Sequence, residues 1–350
     1  MHPTSPSPSP SAPAPAPAPA PASAPASAPA IREPLHAPVA HLVRGGVVEG
    51  IHYGSVVVLG PDGGVDFQLG DIEAAFYPRS AVKPVQAVAM LRAGLPLAGP
   101  LLALAAASHS GEDRHLTGSR RILELAGLTE DALRNVPDLP LDPAVRDTWI
   151  REGRPPSRLA QNCSGKHAAM LHTAHLNGWT LDDYLDPAHP LQQAVAATVE
   201  DLTGRRVARV TVDGCGAPLF AISLHGLARA TARIATAPPG TPEARMADAL
   251  RAHPEMASGS GREPAALMAA VPGLLAKDGY EGVQVAALPD GRTVAVKISD
   301  GAGRARGPVT AAALTRAGVD PSLLTPFAET PLLGGGHPVG HIRPAPAITG

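Results

Sequence analysis

Lysine is scarce in this chain. Its 350 residues include 29 lysines and arginines, of which only Lys83, Lys166, Lys277 and Lys297 are lysines. Where arginine supplies nearly all plain positive charge, a retained lysine is a candidate for work that needs a deprotonable amine. A large net charge is also missing. The formal balance is −2, which gives no electrostatic case for nucleic acid or an anionic membrane as partner. No uncharged apolar run reaches the roughly 18 residues that would span a bilayer. Cysteine is limited to Cys163 and Cys215; in a reducing compartment a structural disulfide is disfavoured, and two buried thiols are the plain reading.

The opening "MHPTSPSPSPSAPAPAPAPAPASAPASAPA" has neither the basic start nor the continuous hydrophobic stretch of a secretory signal. Its Pro/Ala/Ser composition cannot build a core and is expected to sample polyproline II. Residues 1–36 are therefore set aside as a disordered arm, with one folded domain expected over 37–350 and a cytoplasmic location.

The rest is ordinary for a soluble globular protein, and long enough for one large core or two linked ones. "VVEGIHYGSVVVLG", "PDGG" and "VDFQLGD" read as strand, turn and strand. "VQAVAMLRAGL" has helical spacing and ends near Gly94. "PLLALAAASHSGEDRHLTGSRRILELAGL" breaks at "SHSGED" between two helical pieces, and "QNCSGKHAAMLHTAHLNGW" reads as a loop feeding a buried helix. "ARVTVDGCGAPLFAISLHGLARATARI" gives a strand, a Gly-punctuated turn and a helix. "EGVQVAALPDGRTVAVKISDG" is a second hairpin, turning at Asp290-Gly291, and the helix "GPVTAAALTRAG" follows. Strands at both ends with helices between predict an α/β (α+β) fold whose terminal strands share one sheet.

Several familiar signatures are absent. There is no H-E-x-x-H, "NCSGKHA" lacks the glycine and hydroxyl of a phosphate-binding loop, and "GAGRARG" is one residue too long for a dinucleotide fingerprint. These failures remove zinc-protease, ATP and NAD readings. What survives is Ser80-x-x-Lys83 in "FYPRSAVKPVQ". Side chains three apart on one helical turn lie about 5–6 Å apart, close enough for an amine to take a hydroxyl proton directly or through water. Pro84 requires that turn to be the first of its helix. A lysine amine that acts as base near pH 7 must fall from about 10.4, roughly 4–5 kcal/mol of differential destabilisation by burial or a second cation. The bland alternative for all four lysines is solvated surface charge.

A second constellation joins "NCSGKH" to "VDGCGAP". Two thiolates with an amine or a water could hold Zn²⁺, with His167 as an alternative ligand to Lys166. Asp213 could orient a substrate ammonium group, or simply favour the Asp-Gly turn.

Eight ordered stretches, among them "FYPRSAVKPVQA", "ASHSGE", "QNCSGKHAAML", "DGCGAP", "HPEMASGSGR" and "AVKISDGAGRAR", resemble the bacterial asparaginase family typified by the thermolabile rhizobial enzyme. The resemblance covers about residues 40–317. It implies a β-lactamase/glutaminase-like fold, an asparaginase catalytic domain over 37–350, and hydrolysis of L-asparagine to L-aspartate and ammonia. It also implies two Ser-Lys tandems: Ser80 with Lys83, and Ser108 with a later lysine, for which Lys277 is favoured and Lys297 held in reserve. Cys163, Lys166 and Cys215 match zinc-binding positions, the metal tuning substrate binding more than performing the hydrolysis. Arg79, Asp213 and His167 are the expected substrate-binding residues. The expected partners are a small-molecule substrate and a second copy in a homodimer. Asp278 stands where small or hydroxyl residues are usual, and Tyr280 replaces a small residue. Ser80 is the expected nucleophile with Lys83 as base, while Ser108 and its lysine relay protons or supply the nucleophile themselves. A glutaminase, differing by one methylene in its substrate, a catalytically silent Zn- or amino-acid-binding homologue, and a β-lactamase-like enzyme are the rival readings.

Overall fold

The computed structural model describes residues 26–350. Its organising element is a strand covered on both faces. In Val47–Leu59, Val57 and Leu59 point into one buried cluster, whereas Val56 and Val58 point into another, the period-two alternation of a pleated strand. Eight strands join one antiparallel sheet: β1 (Ala37–Arg44), β2 (Val47–Leu59), β3 (Val65–Leu69), β4 (Leu275–Gly279), β5 (Val283–Ala287), β6 (Thr293–Ile298), β7 (Thr330–Gly334) and β8 (His337–Pro344). Their order is β7-β8-β1-β2-β6-β5-β4, with β3 paired to β2.

The expected fold class is the observed one: terminal strands share a sheet and a helical region lies between them. Both expected hairpins form. The second turns at Asp290-Gly291, where Gly291 adopts φ +98°, a left-handed conformation that favours glycine. A strand pair at the C-terminus, β7–β8, and the first strand β1 extend the sheet beyond what the pattern predicted.

The helices used below are α1 (Lys83–Arg92), α2 (Gly99–Ala105), α3 (Asp113–Glu124), α4 (Ser164–Leu176), α5 (Leu224–Ala235) and α6 (Arg306–Arg316). Helix α5 lies against β2, β5 and β6 on one face of the sheet, and α6 covers β2 and β6 from the other. Helices α1, α2 and α4 contribute to the cluster on the α5 side. There α4 meets the end of α2 at Gly165. A Cβ on that glycine would lie 2.5 Å from Leu104 Cγ and 2.7 Å from the Leu104 carbonyl oxygen. The close approach brings the chain after α2, which carries Ser108, against the chain before α4, which carries Cys163.

Of the arm set aside at 1–36, residues 1–25 lie outside the described residues. From Ala26 onward the backbone runs against the domain. Ala26 pairs with Arg205, the carbonyls of Ala30 and Leu35 accept from the Ala75 and Asp71 amides at 2.9 and 2.8 Å, and Arg32 pairs with Asp71 at 2.5 Å. These backbone groups find partners although the segment's composition supplies little apolar surface.

Gly165→Ala is expected to cost about 1–3 kcal/mol, because the neighbour includes backbone that cannot rotate away. Urea unfolding measures this, and a change within a few tenths of a kcal/mol would show that the contact is slack.

Candidate active site

Lys83 is the first residue of α1, followed by Pro84 within the first turn, where a missing amide leaves no helical bond unmade. Its buried amine has three partners: the Ala107 carbonyl at 2.6 Å, Ser108 Oγ at 2.9 Å and Cys163 Sγ at 3.1 Å. The second amine arrives from the sheet. Along β4, Leu275 packs into the helical-side cluster and Ala276 into the opposite one, so alternation returns Lys277 to the helical side. Lys277 Nζ lies 3.3 Å from Ser108 Oγ, 2.8 Å from the Asp278 carbonyl and 2.7 Å from Asp278 Oδ1. The Ser108 hydroxyl thus has a buried amine on two sides, while Ser108 itself lines a pocket of about 720 Å³.

Burial is the main reason Lys277 is brought down to about 8; the Asp278 carboxylate opposes the fall, and Lys83 and Arg262 add to it. An amine titrating there is partly neutral near physiological pH, the condition a lysine base requires.

Ser80 lines the same pocket but stands in a 3₁₀ turn, Arg79–Val82, ahead of α1. Because α1 starts only at Lys83, Ser80 and Lys83 do not share an α-helical turn. Among the described residues no hydrogen bond joins Ser80 Oγ to Lys83, whose three donors are occupied elsewhere. The residue before it is unusual: Arg79 adopts φ +51°, a conformation costing a side-chain-bearing residue about 1 kcal/mol or more. Tertiary contacts hold it there. Arg79 Nε donates to Asp213 Oδ1 at 2.8 Å, and its guanidinium lies 5.4 Å from the Tyr280 ring centroid.

The sulfur cluster forms the adjoining wall. Cys163 and Cys215 are both free thiols and buried, and Lys166 Nζ donates to Cys215 Sγ at 3.3 Å. A hydrogen bond from Cys163 and the Lys166 ammonium hold Cys215 well below the usual thiol range against the effect of burial. That same hydrogen bond, with burial, pushes Cys163 up to about 12. For Lys166 burial favours the neutral amine, but Cys215, Cys163 and Asp213 outweigh it and hold the group protonated. Burial would raise Asp213, yet Lys166 and Arg79 keep it ionised.

Among the described residues no three His, Cys, Asp or Glu side chains gather as a metal site. The set expected to bind zinc contains two sulfurs and one amine. That donor set suits a thiophilic ion with three protein ligands and a position open to the pocket, provided that Lys166 and Cys163 release protons on binding.

Two expected residues lie elsewhere. His167 follows Lys166 on α4 and so points around the helix from it; its Nδ1 pairs with Tyr184 OH at 2.7 Å, and it does not line the pocket. Burial drives it well below its ordinary value, which leaves it neutral. Lys297, the reserve partner for Ser108, donates instead to the Glu281 and Ile298 carbonyls, each at 2.7 Å.

Arg262 and Arg306 are among the pocket-lining residues that were not singled out from the sequence. Arg262 Nη2 donates to Asp278 Oδ2 at 2.8 Å, and Arg306 Nη1 stands 3.7 Å from the same oxygen. Both lay inside the matched stretches "HPEMASGSGR" and "AVKISDGAGRAR". Among so many arginines, nothing local marked them.

Comparison with known proteins gives the chain a class. Residues 40–344 match the family described as L-asparaginase II, and the protein is a hydrolytic amidase. The chain belongs to the L-asparaginase II family. No curated protein matches its sequence. Solved structures with some likeness include a β-lactamase from Mycobacterium bovis, 16% identical over 76% of this chain and 95% of that one, with TM-score 0.41. A putative β-lactamase from Bacteroides dorei is 17% identical over 75% and 92% of the respective chains, with TM-score 0.42. Mglu in 4.3 M NaCl is 18% identical over 71% of this chain and 56% of its own, with TM-score 0.31.

With its thiol held down at the pocket wall, Cys215 is expected to react with iodoacetamide in metal-free protein well before Cys163. Peptide mapping of partly alkylated protein checks the order; equal labelling would contradict the assigned asymmetry.

Proposed function

We propose that the protein hydrolyses the side-chain amide of L-asparagine to L-aspartate and ammonia through a serine activated by buried lysines. The observation that carries this reading is Ser108 Oγ, 2.9 Å from Lys83 and 3.3 Å from Lys277, on a serine that lines the pocket where neither lysine does.

Ser108 Oγ attacks the side-chain carbonyl carbon, and its proton passes to neutral Lys277. The resulting ammonium returns a proton to the departing ammonia, leaving an aspartyl ester on the serine. Water, deprotonated by the same amine, then releases aspartate and restores the hydroxyl. Asp213, with Glu281, which also lines the pocket and stands 3.9 Å from Arg79, supplies negative charge for the substrate's α-ammonium group. Arg79 positions Asp213 through their 2.8 Å bond.

A second reading keeps Ser80 as nucleophile. The strained Arg79 immediately before it favours this, since such strain gathers at functional positions. In that arrangement Ser108 carries protons between the lysines and Ser80.

Ammonia release from L-asparagine and L-glutamine separates the two substrates. Ser108→Ala is expected to lower kcat at least about a thousandfold, the scale of losing a nucleophile, while Ser80→Ala keeps measurable turnover. The opposite order selects the second reading. Because the neutral form of Lys277 is the active one, kcat/KM should rise with pH through about 8; a profile falling over that range would remove Lys277 as base.

Zinc held by Cys163, Lys166 and Cys215 would supply a Lewis-acidic contact for a substrate polar group beside the reacting serine. Metal analysis of the purified protein is expected to find about one zinc per chain, reduced in Cys215→Ser. In that variant KM should rise more than kcat falls. Zinc content unchanged in Cys215→Ser would remove this ligand set.

A further inference from the structure

Three cations close around one carboxylate at the end of β4. Asp278 Oδ1 accepts from Lys277 at 2.7 Å, and Oδ2 accepts from Arg262 at 2.8 Å with Arg306 at 3.7 Å. Arg306 also pairs with Glu263 at 3.1 Å. The cluster adjoins the reacting serine, since Arg262 Nη1 reaches the Ser108 carbonyl at 3.4 Å. Asp278, Arg262 and Arg306 all line the pocket. Two guanidinium groups and an ammonium directed at two oxygens is how a protein receives a carboxylate; here the carboxylate belongs to the chain itself.

We propose that Asp278 is a specificity-determining residue that fills, with its own side chain, a subsite able to receive the α-carboxylate of an amino-acid amide. This inference rests on the asparaginase reading for the identity of the substrate. A substrate carboxylate approaching this end of the pocket meets cations already neutralised and a negative charge in the way. Binding through that group is therefore weak, and affinity depends on the ammonium pole at Asp213 and Glu281. Among the described residues Lys277 and Arg262 have no other close anion, and Arg306 keeps only Glu263. Cations that lose an ion-pair partner in a largely buried site favour another anion in its place, so shortening Asp278 converts the cluster from filled to open.

The discriminating pair of amides is L-asparagine and 3-aminopropanamide, which keeps the ammonium and the amide but lacks the carboxylate. Asp278→Ser should tighten L-aspartate about tenfold or more by calorimetry and raise kcat/KM for L-asparagine relative to 3-aminopropanamide by a similar factor, about the worth of one charge-assisted contact. Lys277 loses an ion-pair partner in the variant, which changes kcat for both amides alike and leaves their ratio as the readout. Adding Arg262→Gln should abolish the gain.

If Asp278→Ser does not fold, Asp278→Asn keeps the size and one of the two side-chain hydrogen bonds while removing the charge, and a smaller shift of L-aspartate affinity in the same direction is expected. Unchanged or weaker L-aspartate binding in a folded variant overturns the proposal. So does an equal change in kcat/KM for both amides. Tightened L-aspartate binding together with no ammonia release from L-asparagine in the unaltered protein would discard asparagine as substrate and keep the subsite.

Discussion

Two lysine side chains enter the site from different layers of the fold and end on a single hydroxyl group. Burying an amine is costly unless its donors are met, and the structure meets them from four distant stretches of chain. Lys83 comes from the start of α1, Ala107 and Ser108 follow α2, Cys163 precedes α4, and Lys277 with Asp278 ends β4. The close crossing at Gly165 and the alternation along β4 both serve to bring those stretches together. The arrangement is demanding because Ser108 Oγ can accept two hydrogen bonds but give only one proton. For that proton to move, one amine must be neutral, and burial brings Lys277 toward that state.

The same network ties the reacting end of the pocket to the sulfur cluster. Cys163 accepts from Lys83, and Cys215, whose thiol is held down beside Cys163, accepts from Lys166. Hydrogen bonds and ion pairs therefore run from Lys166 through Cys215 and Cys163 to Lys83, Ser108, Lys277 and Asp278. Chains of this kind polarise along their length. A change at the cysteines is therefore expected to reach the serine even though neither sulfur needs to touch a scissile bond.

Much of this was legible in the sequence. Alternating apolar residues around Asp-Gly turns gave the hairpins, and helical spacing gave α1, the break after α2 and the buried α4. The rarity of lysine drew attention to the amines. What one-dimensional spacing could not decide was which serine each lysine would meet. Ser80-x-x-Lys83 suggested a pair within one turn, but a 3₁₀ turn holds Ser80 while the α-helix begins at Lys83, and that amine bonds Ser108. His167 looked equivalent to Lys166, yet neighbouring positions on a helix face different ways. Arg262 and Arg306 acquire meaning only from Asp278, 16 positions from Arg262, and no local pattern distinguishes them from the arginines on the surface.

The central claim is that Ser108 forms the covalent intermediate. Acid-quenching the protein during turnover of L-asparagine, followed by digestion and peptide mass mapping, tests it directly. An aspartyl adduct on the peptide carrying Ser108, absent from the one carrying Ser80, is the predicted result. An adduct on Ser80 alone would contradict the account and make Ser108 a carrier of protons.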